Sequence, residues 1–353
     1  MSRLLEQPLN GSTYAGSGVS IEAGDEAVER IKHIVASTAR SEVLGGIGGF
    51  GGLFALDIAK YTAPVLVASA DGVGTKLDIA RQVGRYDTVG IDLVAMLVDD
   101  LACVGAEPLF VLDYVAVGKL EPARLEELVT GIATGCRLAN AALLGGETAE
   151  HAGVMAPDDL DVAGFAVGVV ERGEELGPER VRSGDVLVGL SSPGLRSNGY
   201  SLARRVLVSS VGDLSAPAWD GADHSLGDEL LVPSVIYSPT VSALRRDLGN
   251  GVHACAHVTG GGIVGNVARI VTAELDALID LGRFDTPEIF FEIQRRGRVH
   301  ADEMVRVFNC GLGMVVALDA DAADAAITIA RANGVAATIV GSVTSGSGEV
   351  RLS

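Results

Sequence analysis

The sequence predicts a two-domain protein of α/β class, of the α+β kind, and three observations predict it. Strand-like runs rich in β-branched residues alternate with helical patterns along the whole chain. At 353 residues the chain is long enough for two cores of ordinary size. Finally, the apolar run VAGFAVGVV (162–170) gives way to ERGEELGPERVRSGD (171–185), a charged stretch with Gly and Pro that suits an exposed boundary. The expected division is 1–171 and 172–353.

In the first half, Ala27, Val28, Ile31, Ile34 and Val35 recur at helical spacing. The glycine stretch GGIGGFGG (45–52) follows, then VLVASADGVGTK (65–76), which reads as a strand running into a turn. A helix is expected over 87–108, with Ile91, Val94, Ala95 and Val98 on one face. Strands at 109–117, 141–146 and 162–170 then alternate with a helix at 122–139. The second half repeats this plan. Strands fit 185–192, 253–260, 275–281, 313–320 and 337–343, with helical patterns between them that include 202–210 and 321–334.

Composition narrows the function. Hydrophobic residues make up 48% of the chain, yet no uninterrupted apolar run reaches membrane-spanning length. The opening MSRLLEQPLN lacks the apolar core of a secretory signal, so a soluble, cytoplasmic protein is expected. Cys103, Cys136, Cys255 and Cys310 are scattered without a Cys-x-x-Cys pair, which argues for buried thiols over a zinc or disulfide framework. A formal net charge of −19 makes nucleic acid and anionic membranes poor partners. A phosphate ligand would then have to rely on Mg²⁺, backbone amides and a few local cations.

Three carboxylate-bearing motifs fit such a ligand. DGVGTK (71–76) places Asp71 at a strand end with Gly72, Gly74, Thr75 and Lys76 after it, a carboxylate for Mg²⁺ and a cation for phosphate. It is not a Walker A loop, and the loose GxGxxG match in GIGGFG (46–51) has no clear strand leading into it. VDDLACVGAEP (98–108) carries Asp99, which shares a helix face with Asp92, and Asp100, about 100° round from Asp99. LLGGETAE (143–150) ends a strand in two glycines and then Glu147. Asp71, Asp100 and Glu147 together are the expected metal ligands. In the second half, SNG (197–199) precedes a helical pattern, and HVTGGG (257–262) reads as a strand, a turn of bare amides and then a helix, suited to a phosphate monoester. His257 at that turn is a candidate proton carrier, although a histidine that only orients the turn fits equally well.

These stretches resemble the aminoimidazole ribonucleotide synthetase family, also named phosphoribosylformylglycinamidine cyclo-ligase. The matches run in order from TYAGSGVSIEAG (13–24) and RIK (30–32) through GGIGGFGG, DGVGTKL, GIDLVAM, GAEPLFVLDY, GGETAE, DVAGF, SNGYSL and HVTGGG to FNCGLGM (308–314). The resemblance implies the two-domain fold of that superfamily, a homodimer, and first-domain strands that form a barrel-like interface. It implies ATP-dependent ring closure of formylglycinamidine ribonucleotide, with ATP and Mg²⁺ as cofactors. It places Lys32, Gly48, Gly49, Phe50, Gly51, Asp71, Gly72, Gly74, Thr75, Lys76, Asp100 and Glu147 near the nucleotide. Arg196, Ser197, Asn198, Thr259, Gly260, Gly261 and Gly262 would face the substrate, and His257, Lys76 and Asn198 would serve catalysis. The glycine stretch becomes an expected mobile cover over ATP, held by Phe50.

The chain departs from the usual family pattern at three places. Arg196 stands where His is common, Asp99 where Asn is usual, and His151-Ala-Gly-Val154 where the family often has Met-Pro-Gly-Met. Selenophosphate synthetase, thiamine-monophosphate kinase and a hydrogenase maturation protein share the superfamily plan and remain alternatives, as does a scaffold without catalysis. Against selenophosphate synthetase, the first cysteine is Cys103, far from the glycine-rich stretch. Against a scaffold, Asp71, Lys76, Asp100 and Glu147 are all intact.

Overall fold

The computed structural model describes residues 12–209 and 212–353. The opening MSRLLEQPLN and the last residue of the 202–210 helical pattern lie outside them. The described chain forms two main sheets with helices packed on them, and one two-stranded hairpin.

The first half opens with α1 (Ile21–Ala36) and a short hairpin of β1 (Val43–Leu44) and β2 (Leu53–Phe54) that brackets the glycine stretch. The main sheet follows, with β3 (Pro64–Gly72), β4 (Glu107–Val117), β5 (Ala142–Glu150) and β6 (Leu160–Glu171) in the order β3-β6-β4-β5. Only β4 and β5 run parallel, linked through α4 (Pro122–Leu138). Between β3 and β4 lie α2 (Lys76–Val83) and α3 (Asp87–Cys103). The expected helix over 87–108 stops early because Gly105 takes φ +83°, a left-handed turn that returns the chain to β4.

Helices α3 and α4 pack at very short range, and two glycines make that possible. A Cβ on Gly131 would lie 1.8 Å from the Asp87 carbonyl oxygen, and one on Gly90 would lie 2.4 Å from the Ile132 nitrogen. Their face of the sheet is buried, as Val162, Ala166 and Val170 of β6 show. The other face is bare among the described residues: Leu66, Tyr114 and Phe165 are exposed there.

The second half holds a six-stranded sheet ordered β12-β9-β11-β7-β10-β8. Its strands are β7 (Val186–Ser191), β8 (Val252–His257), β9 (Leu275–Ile279), β10 (Leu312–Leu318), β11 (Ala337–Ser345) and β12 (Val350–Leu352). Every pair is antiparallel except β12 with β9. Strands β8 and β10 are buried along their whole length, which explains the unbroken apolar run of β10; β8 also buries His253 and His257. Around the sheet lie α5 (Tyr200–Ala203, continued as a π-turn over Arg204–Val208), α6 (Leu226–Leu230) and α7 (Ser238–Leu248). After them come α8 (Gly262–Val267), α9 (Glu288–Gly297), α10 (Ala301–Val307) and α11 (Ala323–Ala332). Helix α3 of the first half packs against β8 and α7 of the second, so one apolar core crosses the seam. That seam gathers the acidic residues of α3.

Candidate active site

At the end of β3 the chain must turn from sheet to helix within four residues. Gly74 supplies the left-handed φ of +69° that this turn needs, and the Asp71 carboxylate accepts a hydrogen bond from Gly72 N at 2.7 Å. Burial pushes the Asp71 pKa up, and the charge of nearby Asp100 pushes it further in the same direction. Two neighbouring carboxylates at a strand end form a site suited to a divalent cation.

The acids of α3 divide by direction. Asp92 and Asp99 point inward and are fully buried, whereas the Asp100 side chain is half exposed. Burying a charge requires a partner. Asp92 has Lys76, whose Nζ lies 2.5 Å from its Oδ2 and also donates to the carbonyls of Val232 (2.8 Å) and Arg196 (3.1 Å). With no exposed surface and three oxygen partners, this ammonium does not reach a nucleotide. The expectation that Lys76 meets phosphate or acts in catalysis is corrected: it ties α2 to α3 and to the second half of the chain. Burial lowers its pKa, with Asp92 opposing.

Asp99 has Arg196, at 2.9 Å, and its other oxygen accepts from the backbone amides of Tyr237 (2.7 Å) and Ser238 (2.9 Å). Arg196 also donates to His257 Nε2 at 2.9 Å and to the Val235 carbonyl at 2.7 Å. A guanidinium only donates, so His257 Nε2 accepts and Nδ1 carries the proton, which it gives to Asp100 Oδ1 at 2.9 Å. Two expectations change here. Arg196 is sealed inside and presents nothing to a substrate phosphate. His257 has no free lone pair with which to take a proton and instead orients Asp100.

The Thr259–Gly262 turn lies at the end of β8, braced by Asn266, whose Nδ2 donates to the carbonyls of Thr259, Gly260 and Gly262. Gly261 (φ +97°) and Gly262 (φ +64°) are both left-handed, and a Cβ on Gly262 would strike the Val305 carbonyl at 2.1 Å. Asn198 faces this turn, with its Oδ1 3.5 Å from where a Gly260 Cβ would stand. The buried Ser197 Oγ beside it has no hydrogen-bond partner among the described residues. Gly199, Gly260 and Gly261 line an open cleft together with Glu303 and Arg306 of α10. Sequence reasoning missed Arg306, because nothing local marks an arginine of an amphipathic helix as facing a cleft formed elsewhere. Across the seam, Thr75 Oγ1 lies 3.4 Å from Ser201 Oγ, which joins the two candidate motifs.

The glycine stretch lies elsewhere in the first half. Ile47, Gly48 and Gly49 roof a cavity of about 350 Å³ between α1, α4 and β5, with Glu147 at its rim. A second cavity of about 250 Å³ under Gly45 and Gly46 is lined by Lys32, whose ammonium pairs with Glu29 on α1. Phe50 is fully exposed, so it does not hold the segment; half-buried Ile47 does. Glu147 also stands apart from the other carboxylates. Register aligns it with Tyr114, Ala163 and Gly72 across β5, β4, β6 and β3. Three strand spacings of about 4.8 Å put it roughly 14 Å from the end of β3. One Mg²⁺ bound at about 2.1 Å cannot be shared by Asp71, Asp100 and Glu147.

Comparison with known proteins agrees with both halves. The family described as AIR synthase related protein, N-terminal domain, matches residues 56–170, and its C-terminal counterpart matches residues 182–353. The phosphoribosylformylglycinamidine cyclo-ligase of Trichlorobacter lovleyi is 48% identical over 337 residues, 95% of each chain. The chain belongs to the AIR synthase family. Solved structures share the fold at low identity. Thiamine-monophosphate kinase from Stenotrophomonas maltophilia is 22% identical with a TM-score of 0.69, covering 92% of this chain and 95% of that one. The hydrogenase maturation protein HypE in complex with ATP is 16% identical with a TM-score of 0.65, covering 95% and 92%.

Two of the departures from the usual AIR synthase pattern meet in space. Arg196 and Asp99 are each other's ion partner, so the added positive charge answers the added negative one inside the same buried network. The third is a surface turn, in which the amides of Val154 and Met155 both donate to the His151 carbonyl.

Proposed function

We propose that this AIR synthase family member closes the imidazole ring of aminoimidazole ribonucleotide from formylglycinamidine ribonucleotide, using ATP and releasing ADP and phosphate. The observation that carries this is the 48% identity to a phosphoribosylformylglycinamidine cyclo-ligase along nearly the whole length of both chains. The site is compatible with it. The chemistry transfers the γ-phosphoryl group to the formyl oxygen; the amidine nitrogen then attacks that carbon, and phosphate leaves with the oxygen. Positioning and charge neutralisation suffice for such steps, and no protein nucleophile is required.

Asp71 and Asp100 would hold Mg²⁺, which when bound neutralises charge on the phosphoryl group in transfer. His257 keeps Asp100 turned, through a hydrogen bond whose proton is fixed by Arg196 on the far nitrogen. Gly260, Gly261 and Arg306 line a cleft suited to the ribose phosphate of the substrate, with Asn198 beside Gly260. Lys32 and Glu147 flank the glycine-roofed cavities, where the rest of the nucleotide would lie. The bare apolar face of the first sheet supports a homodimer, with Leu66, Tyr114 and Phe165 buried between copies and the strands completing a barrel-like interface. A division at 171/172 is supported by the first sheet ending at Glu171 and the second beginning at Val186. No helix among the described residues is long and apolar enough to cross a membrane, which fits a cytoplasmic place of work.

The test is direct: purified protein with formylglycinamidine ribonucleotide, ATP and Mg²⁺ should release ADP and aminoimidazole product in equal amounts. Nucleotide binding without product would favour the scaffold reading.

A further inference from the structure

Asp113 of β4 is half-buried, and among the described residues no donor other than its own backbone N–H reaches its carboxyl. It lines the 350 Å³ cavity roofed by Ile47, Gly48 and Gly49, whose other walls are mainly apolar, among them Ile31, Val129 and Leu143. A carboxyl left there without a partner costs free energy, and burial pushes its pKa up to about 7.

The chain also makes room for this side chain. Asp113 is paired in register with Gly146, and a Cβ on Gly146 would stand 1.5 Å from Asp113 Oδ1. Any side chain at 146 would push the carboxyl away from the cavity, so the second glycine of GGETAE keeps Asp113 where it is. The volume falls at the small end of small-molecule sites, and its make-up is typical of them: apolar walls and one placed polar group. A flat apolar body with a hydrogen-bond donor on its edge fits such walls. Aminopurines have that chemistry.

We propose that Asp113 reads the exocyclic amine of a purine base held in this cavity, and so selects adenine over 6-oxopurines. This rests on the reading that the protein uses ATP. The carboxylate oxygen accepts from the 6-amino group of adenine, whereas the 6-oxo oxygen of hypoxanthine would face it acceptor to acceptor.

The test is calorimetric titration of the full-length protein with ATP or ITP in the presence of Mg²⁺ at pH 8.5, where a carboxyl pushed up to about 7 is ionised. Wild type should bind ATP roughly tenfold to a hundredfold more tightly than ITP, as expected for a lost hydrogen bond to a charged acceptor. Asp113→Asn should lose that preference, because the amide can donate to a 6-oxo group. Gly146→Ala should weaken ATP binding by displacing Asp113. Thermal melts of both variants check that they are folded. An ATP-to-ITP ratio unchanged in Asp113→Asn overturns the proposal, as does a wild type that binds both equally or binds neither. Failure of ring closure with the ATP preference intact would count against the proposed reaction and leave the base-reading role standing.

Discussion

Arg196 and Asp99 form a pair whose members depend on each other. Removing Arg196 leaves Asp99 buried with only two backbone amides, and breaking a buried pair in this way typically costs about 3–5 kcal/mol. Arg196→Met should therefore lower the urea midpoint of unfolding strongly, and adding Asp99→Asn should recover part of the loss. Additive losses in that double variant would show that the two side chains are not coupled. Asp71 behaves in the opposite way. Its folded pKa is raised, by burial and then by Asp100, so its ionisation costs stability as pH climbs through that raised value. Asp71→Asn should melt no lower than wild type at neutral pH while ATP turnover falls by about a hundredfold, the scale on which a charge-stabilising group acts. Near wild-type turnover in that variant would remove Asp71 from the cation site.

Helices α3 and α4 show how a small residue sets the geometry of a whole element. The Gly131 Cα side is filled by the Asp87 carbonyl, so Gly131→Ala forces the helices apart and should cost about 1–3 kcal/mol, as overpacking does. Gly24 in α1 is the control, with nothing within 4 Å of an added Cβ. Gly24→Ala should stabilise by up to about 1 kcal/mol through helix propensity. Thermal unfolding of the two variants checks both signs. The separation matters for function because α3 carries Asp92, Asp99 and Asp100 on one rigid rod, and a shift between α3 and α4 moves all three.

For the whole molecule, the open face of the first sheet makes the strongest claim. Leu66 on β3 and Phe165 on β6 stand exposed on the face opposite α3 and α4. A homodimer closed through this face should come apart when Phe165→Asp puts a charge in its centre, read as a halved mass by sedimentation velocity. A wild type that sediments as a monomer would remove the interface.

Most of the secondary structure was legible in the sequence, because strand and helix periods are local properties. Strand ends at Gly72 and His257, and the helix carrying Asp99 and Asp100, follow from short runs of residues. What escaped were helices α2, α6, α7, α9 and α10, the β1–β2 hairpin, the last strand, and the mostly antiparallel order of the first sheet, since strand direction is set by partners distant in sequence. Which carboxylates, glycines and turns exist, and which family they resemble, can be read from the residues in order. Their surroundings came from the packing of distant segments. That packing buried Lys76 against Asp92 and locked His257 between Arg196 and Asp100. It also placed Glu147 three strands from Asp71, and left Asp113 alone in a cavity. The physical reason is that burial and pairing depend on what packs opposite a side chain, and for each of these residues that neighbour comes from a distant part of the chain.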